Sequence, residues 1–121
     1  MKYESVTVVE SRVAPVVMLT VAKMSYGRRA ELMRRIRELA RRMEFLEAGQ
    51  EPAEKMDAAL LEAEIRRLYV SWGLRAISGL VVDGAEATPE LLAESGPEDL
   101  FLEALAAVQA QAGLSEAERK N

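Results

Sequence analysis

From Leu32 to Leu46 the large apolar residues Leu32, Ile36, Leu39, Met43 and Leu46 recur at spacings of four, three, four and three. An α-helix of 3.6 residues per turn gathers residues so spaced into one stripe. Met33 and Ala40 widen it. Ser25 is placed to cap the start, and Gly49 followed by Pro52 stops the pattern, so a helix over 26–48 is predicted. Its opposite face carries Arg34, Arg37 and Arg41. Glu31 can pair with Arg35, and Glu38 with Arg42, each in the favourable acid-first order four residues apart. Phe45 falls on this polar side, the one large apolar residue out of place.

Pro52 suits the first turn of a second helix, over 52–72. This helix has two apolar faces. Leu61, Ile65, Leu68 and Trp72 form one, and Met56, Ala59, Leu60, Ala63 and Val70 form the other. Thin polar strips, Lys55–Glu62–Arg66 and Asp57–Glu64–Arg67, run between them. A helix apolar on both sides in a chain of 121 residues is either the central element or half of an oligomer interface.

Around these helices the pattern is shorter. Residues 3–10 alternate, residues 16–24 beyond Pro15 are β-branched and apolar, and 2–24 read as a β-hairpin. A lone hairpin is marginal in water, so it must lie on helices or pair with another sheet. Residues 79–87 form a short β-segment around Asp83-Gly84. Thr88-Pro89 opens a helix over 89–95, Pro97-Glu98-Asp99 opens another over 97–112, and 115–121 reads as a frayed polar tail. Half the residues are apolar, enough for one core, and the expectation is a single α+β, mainly α domain over 1–121.

The charges are segregated. Eight basic residues lie between Lys23 and Arg42 against two acids, while residues 76–114 hold seven acids and no base. Complementary regions suit docking onto other copies of the chain or onto another protein, and head-to-tail stacking of copies is one form this can take. An Arg-rich helix over 28–48 is also an electrostatic footprint of nucleic-acid regulators, which is the alternative function. It lacks the aromatic interleaving of single-strand binders and no compact helix-turn-helix is present, so nucleic acid is disfavoured. The chain has no cysteine and no histidine, which removes disulfides, thiolate metal sites, the usual general base and the commonest metal ligand. Nothing pairs a nucleophile with a base, so neither an enzyme nor a cofactor is expected. Without a visible signal peptide or a membrane-length apolar run, the expected location is the cytoplasm.

Several pieces in order, Lys23-Met24-Ser25-Tyr26-Gly27-Arg28-Arg29, Trp72-Gly73-Leu74, Gly79-Leu80-Val81-Val82-Asp83-Gly84, Ala87-Thr88-Pro89-Glu90-Leu91-Leu92 and Gly96-Pro97-Glu98-Asp99-Leu100, are similar to those of tail assembly chaperones of tailed bacteriophages and prophages. The resemblance covers about residues 16–119. It implies a small non-enzymatic protein of the host bacterial cytoplasm that coats and solubilises the long tape measure protein, helps recruit tail tube protein, and self-associates. It also implies a longer, frameshifted form. No binding residue of that family transfers to positions here, so the candidate interaction residues rest on physics: Arg34, Arg37, Arg41, Phe45, Met56, Leu60, Ala63, Val70 and Trp72. Trp72 has two readings, core residue or interface hot spot.

Overall fold

The computed structural model describes residues 1–113, and the tail expected over 115–121 lies outside them. Strand β1 (Val6–Glu10) runs antiparallel to β2 (Met18–Ala22), helices α1 (Tyr26–Glu47) and α2 (Pro52–Gly73) follow, and β3 (Leu74–Ser78) returns to pair with β2. Then come the two-residue strands β4 (Val81–Val82) and β5 (Ala85–Glu86), helix α3 (Pro89–Ser95) and helix α4 (Glu98–Ala112). The architecture is α+β and mainly α, as expected. No helix among the described residues is long and apolar enough to cross a membrane.

Where the sequence reads as one domain, the chain folds as two compact units. The first comprises residues 1–24 and 69–113, and the second comprises residues 25–68 among those described. Chain order explains the division. Val21 of β2 and Leu74 of β3 are partners in one sheet, so everything between leaves the sheet and comes back to it as an insertion.

The first unit is built on a sheet of order β1-β2-β3. Alternation along β2 sends Leu19 and Val21 inward, and Val17 ahead of it joins them. Helix α4 packs against β2, burying Leu100, Ala104, Leu105, Val108 and Ala112, while α3 packs against α4 and β3 and buries Leu92. Caps stand where the residues promise them. Thr88 Oγ1 accepts the Leu91 N–H at 3.1 Å, and Gly113 ends α4 in the left-handed region with φ 57°. Asp83 (φ 49°) and Gly84 (φ 80°) make the tight turn joining β4 and β5, both with the positive φ that such a hairpin demands.

Strand β3 was not foreseen. Leu74-Arg75-Ala76-Ile77-Ser78 has little β-branching, and it starts on the residue after α2 with no turn to announce it. Pairing with β2 overrides that weak propensity. At the junction a β-carbon on Gly73 would overlap the Val108 side chain, so only glycine lets this helix end sit against α4.

In the second unit Ser25 caps α1 by accepting the Arg28 N–H on its hydroxyl at 3.3 Å. The stripe of α1 is buried at Leu32, Ile36 and Ala40 but only half-buried at Leu39, Met43 and Leu46. Burial therefore fades towards the end of the helix. Along α2, Ala58 and Leu61 are buried, whereas Met56, Ala59, Leu60 and Ala63 are exposed. The two apolar faces expected of α2 thus diverge, one covered and one open to solvent.

Candidate functional site

The fading stripe of α1 and the open face of α2 meet in a groove of about 620 Å³ within the second unit. Phe45, Leu46, Leu60 and Leu61 supply its apolar lining. Leu61 is buried, Leu46 half-buried, Leu60 60% exposed and Phe45 76% exposed. Residues this large and this exposed side by side are unusual unless something covers them.

The walls carry opposite charge. Arg41 and Arg42 line the α1 side, and Asp57 and Glu64 line the α2 side. Among the described residues these four charges form no ion pair. By contrast Arg35 meets Glu31 at 2.8 Å on the outer face of α1, and Arg66 meets Glu62 at 2.7 Å on α2. The expected Glu38–Arg42 pair does not form, which leaves Arg42 to the groove.

Of the nine candidate interaction residues, the fold brings three together: Arg41, Phe45 and Leu60 line the groove. Arg34 and Arg37 are exposed further back on α1, and Met56 (69% exposed) and Ala63 are exposed on α2, outside the lining. Val70 and Trp72 must be withdrawn as surface residues. They are 1% and 4% exposed in the first unit, because the last turn of α2 belongs to the sheet-and-helix core and not to the open face. Of Trp72's two readings, the core residue stands. Reasoning from helical faces missed Arg42, Leu46, Asp57, Leu61 and Glu64. The strip holding Asp57 and Glu64 was visible, but that it would lie across from Arg41 was not.

Folding also redistributes the segregated charges. Residues 25–68 hold ten basic and nine acidic side chains, whereas the first unit holds four and nine. The second unit is almost neutral, so the positive face of α1 is local. This weakens both head-to-tail stacking by bulk charge and a phosphate-tracking surface, since the acids of the groove repel a polyanion.

One polar cluster in the first unit resembles catalytic machinery. The hydroxyl of buried Ser11 donates to Glu103 Oε1, and the Arg12 N–H donates to Glu103 Oε2 at 2.8 Å. Burial tends to raise the Glu103 pKa, but the Ser11 hydroxyl, the Arg12 and Val13 N–H groups and the Arg12 charge outweigh it, and the net shift is downward. Ser11 Oγ also accepts the N–H groups of Val13 (3.1 Å) and Ala14 (2.9 Å). Its lone pairs are taken and the carboxylate is held ionised, so the pair clasps the β1–β2 loop to α4; it is not an activated nucleophile. Among the described residues no group of His, Cys, Asp or Glu side chains is placed to hold a metal ion.

No family model, curated protein or solved structure matches this chain.

Proposed function

We propose that this chain is a non-enzymatic assembly chaperone whose α1–α2 groove shelters amphipathic helical segments of a much longer partner. The exposed Phe45 and Leu60 between unpaired basic and acidic walls carry the reading. A helix-in-groove complex needs an apolar floor for its i, i+3, i+4 anchors and charged rims to set direction. Here the matching helix has an apolar stripe with acids on the flank facing Arg41 and Arg42, and bases on the flank facing Asp57 and Glu64.

Magnitudes favour a long partner over a short one. Covering the exposed parts of Phe45 and Leu60 contributes roughly 2–4 kcal/mol at about 1.5–3 kcal/mol per fully buried side chain. Association costs at least about 4 kcal/mol in lost rigid-body freedom. A single groove therefore binds weakly, and useful retention comes from many copies on one chain with repeated stripes. A tape measure protein, the partner implied by the resemblance to tail assembly chaperones, is such a chain. The host bacterial cytoplasm is where that encounter takes place, and tail tube protein follows as a second partner in the same reading.

The test is co-expression with the tape measure protein of the same phage or prophage. The wild-type chain is expected to keep it soluble, and the Phe45→Glu/Leu60→Glu chain is expected to lose it to the pellet while staying folded. If both chains behave alike, the groove is not the shelter.

A further inference from the structure

Strands β1 and β3 are the two edges of the three-stranded sheet, and the chain treats them differently. In β3 the register shifts so that Arg75 is the extra residue of a bulge, and α3 packs against the strand. A bulge, a charge and a covering helix are devices that keep an edge from pairing with another chain. Within β1 only its last residue, Glu10, is charged, and no bulge interrupts its register.

The outward residues of β1 follow from its bonds to β2. The Lys23 N–H donates to the Ser5 carbonyl at 2.8 Å, and the Ser11 N–H donates to the Val17 carbonyl at 2.9 Å. Odd-numbered residues therefore direct their backbone groups towards β2, and alternation turns the N–H and C=O of Val6, Val8 and Glu10 to the open side. Val8, 60% exposed, stands at the centre of that edge.

We infer that this edge pairs antiparallel with β1 of a second copy, about a two-fold axis through Val8. Centred there, the five residues overlap completely, with Val8 against Val8 and Val6 against Glu10. All the outward groups of the strand then find partners. A two-residue slip one way sets Glu4 against Glu10, a destabilising like-charge pair, and the opposite slip leaves Arg12 facing Val6. Both slips shorten the overlap. Charge and length thus select one register and a copy of the same strand. An edge contact this small falls below the roughly 1,200 Å² of stable complexes, so the dimer is concentration-dependent. The pairing uses the first unit alone and stands or falls independently of the groove.

Because the chain has no cysteine, single introduced cysteines report the register. Val8→Cys places two thiols on residues about 5.5 Å apart at Cα, within disulfide reach. Val6→Cys sets its own pair about 13 Å apart along the strand, beyond it. The expected result is a mass rising with concentration towards twice the monomer in light scattering. Mild oxidation is expected to link Val8→Cys chains, to leave Val6→Cys chains monomeric, and to join Val6→Cys with Glu10→Cys chains when mixed. Val8→Pro removes an outward N–H and no bond to β2, and is expected to hold the chain at monomer mass with unchanged circular dichroism. If that variant does not fold, the cysteine arm decides alone. The inference is overturned by a monomer at every concentration, by Val6→Cys linking as readily as Val8→Cys, or by a dimer that survives Val8→Pro. A dimer abolished by Phe45→Glu but kept by Val8→Pro would move the contact to the groove.

Discussion

Replacing Glu103 by Gln tests the clasp between the β1–β2 loop and α4. The carboxylate accepts from the Ser11 hydroxyl with one oxygen and from the Arg12 N–H with the other. Glutamine keeps the size but offers one acceptor; its amide NH₂ turns donor against donor at the second position. One charge-assisted bond is lost and the other becomes neutral. Such bonds are worth about 1.5–3 kcal/mol each when charged. Glu103 is only half-buried, and solvent screening brings the expected loss to about 1–2 kcal/mol at neutral pH. The pH dependence is the sharper signature. A carboxyl held ionised by native donors binds its proton less readily folded than unfolded. Its stabilisation is complete above the ordinary glutamate value of 4.5 and is lost as the pH falls through the lowered native value. Once protonated, the wild-type side chain has one donor and one acceptor, as glutamine does, and the two proteins converge. Urea unfolding followed by Trp72, the sole tryptophan and a buried residue of the first unit, measures both. Equal stability at pH 7, or a gap that does not close in acid, would refute the reasoning.

Three other perturbations follow from the packing. Gly73→Ala forces a β-carbon into Val108 and is expected to destabilise the first unit by about 1–3 kcal/mol, with Val108→Ala in the same chain recovering part of that in urea melts. Trp72→Ala is expected to cost about 3–5 kcal/mol and Phe45→Ala less than about 0.5 kcal/mol by circular dichroism melts, a contrast that follows from burial alone. In gel retardation at low salt the wild-type chain is expected to leave duplex DNA unshifted; a shift abolished by Arg34→Glu/Arg37→Glu/Arg41→Glu would instead establish the nucleic-acid reading.

Local signals carried much of this fold. The ends of α1 and α3 were legible from Ser25 and Thr88, and the β4–β5 turn from Asp83-Gly84, because caps and turns are decided by a few adjacent residues. Strand β3 was hidden because its pairing partner lies far back in the chain and its own residues scarcely ask for a strand. The insertion was hidden for the same reason, since nothing near Met24 or Tyr69 records that the chain returns to one sheet. At the site, helical spacing marks Phe45 as a misplaced apolar residue and puts Leu60 on a second apolar face, each of which is a one-helix property. It misjudged Val70 because the two apolar faces of α2 were read as continuous. The opposition of Arg41 and Arg42 to Asp57 and Glu64 needs two helices at once.

The insertion between β2 and β3 also sets an order of events for a newly made chain. Strand β2 ends at Ala22 and its second partner starts at Leu74, with 51 residues between them. Closing a flexible loop of that length costs about 3.5 kcal/mol in chain entropy before any pairing compensates. Helices gain their bonds locally and within about a microsecond, much sooner than a distant strand can search for its edge. If α1 and α2 form first, the loop is already shortened when Leu74 emerges, and the third strand has less space to explore. Substitutions that weaken these helices would then slow the closing of the sheet, although none of their residues takes part in its ladder.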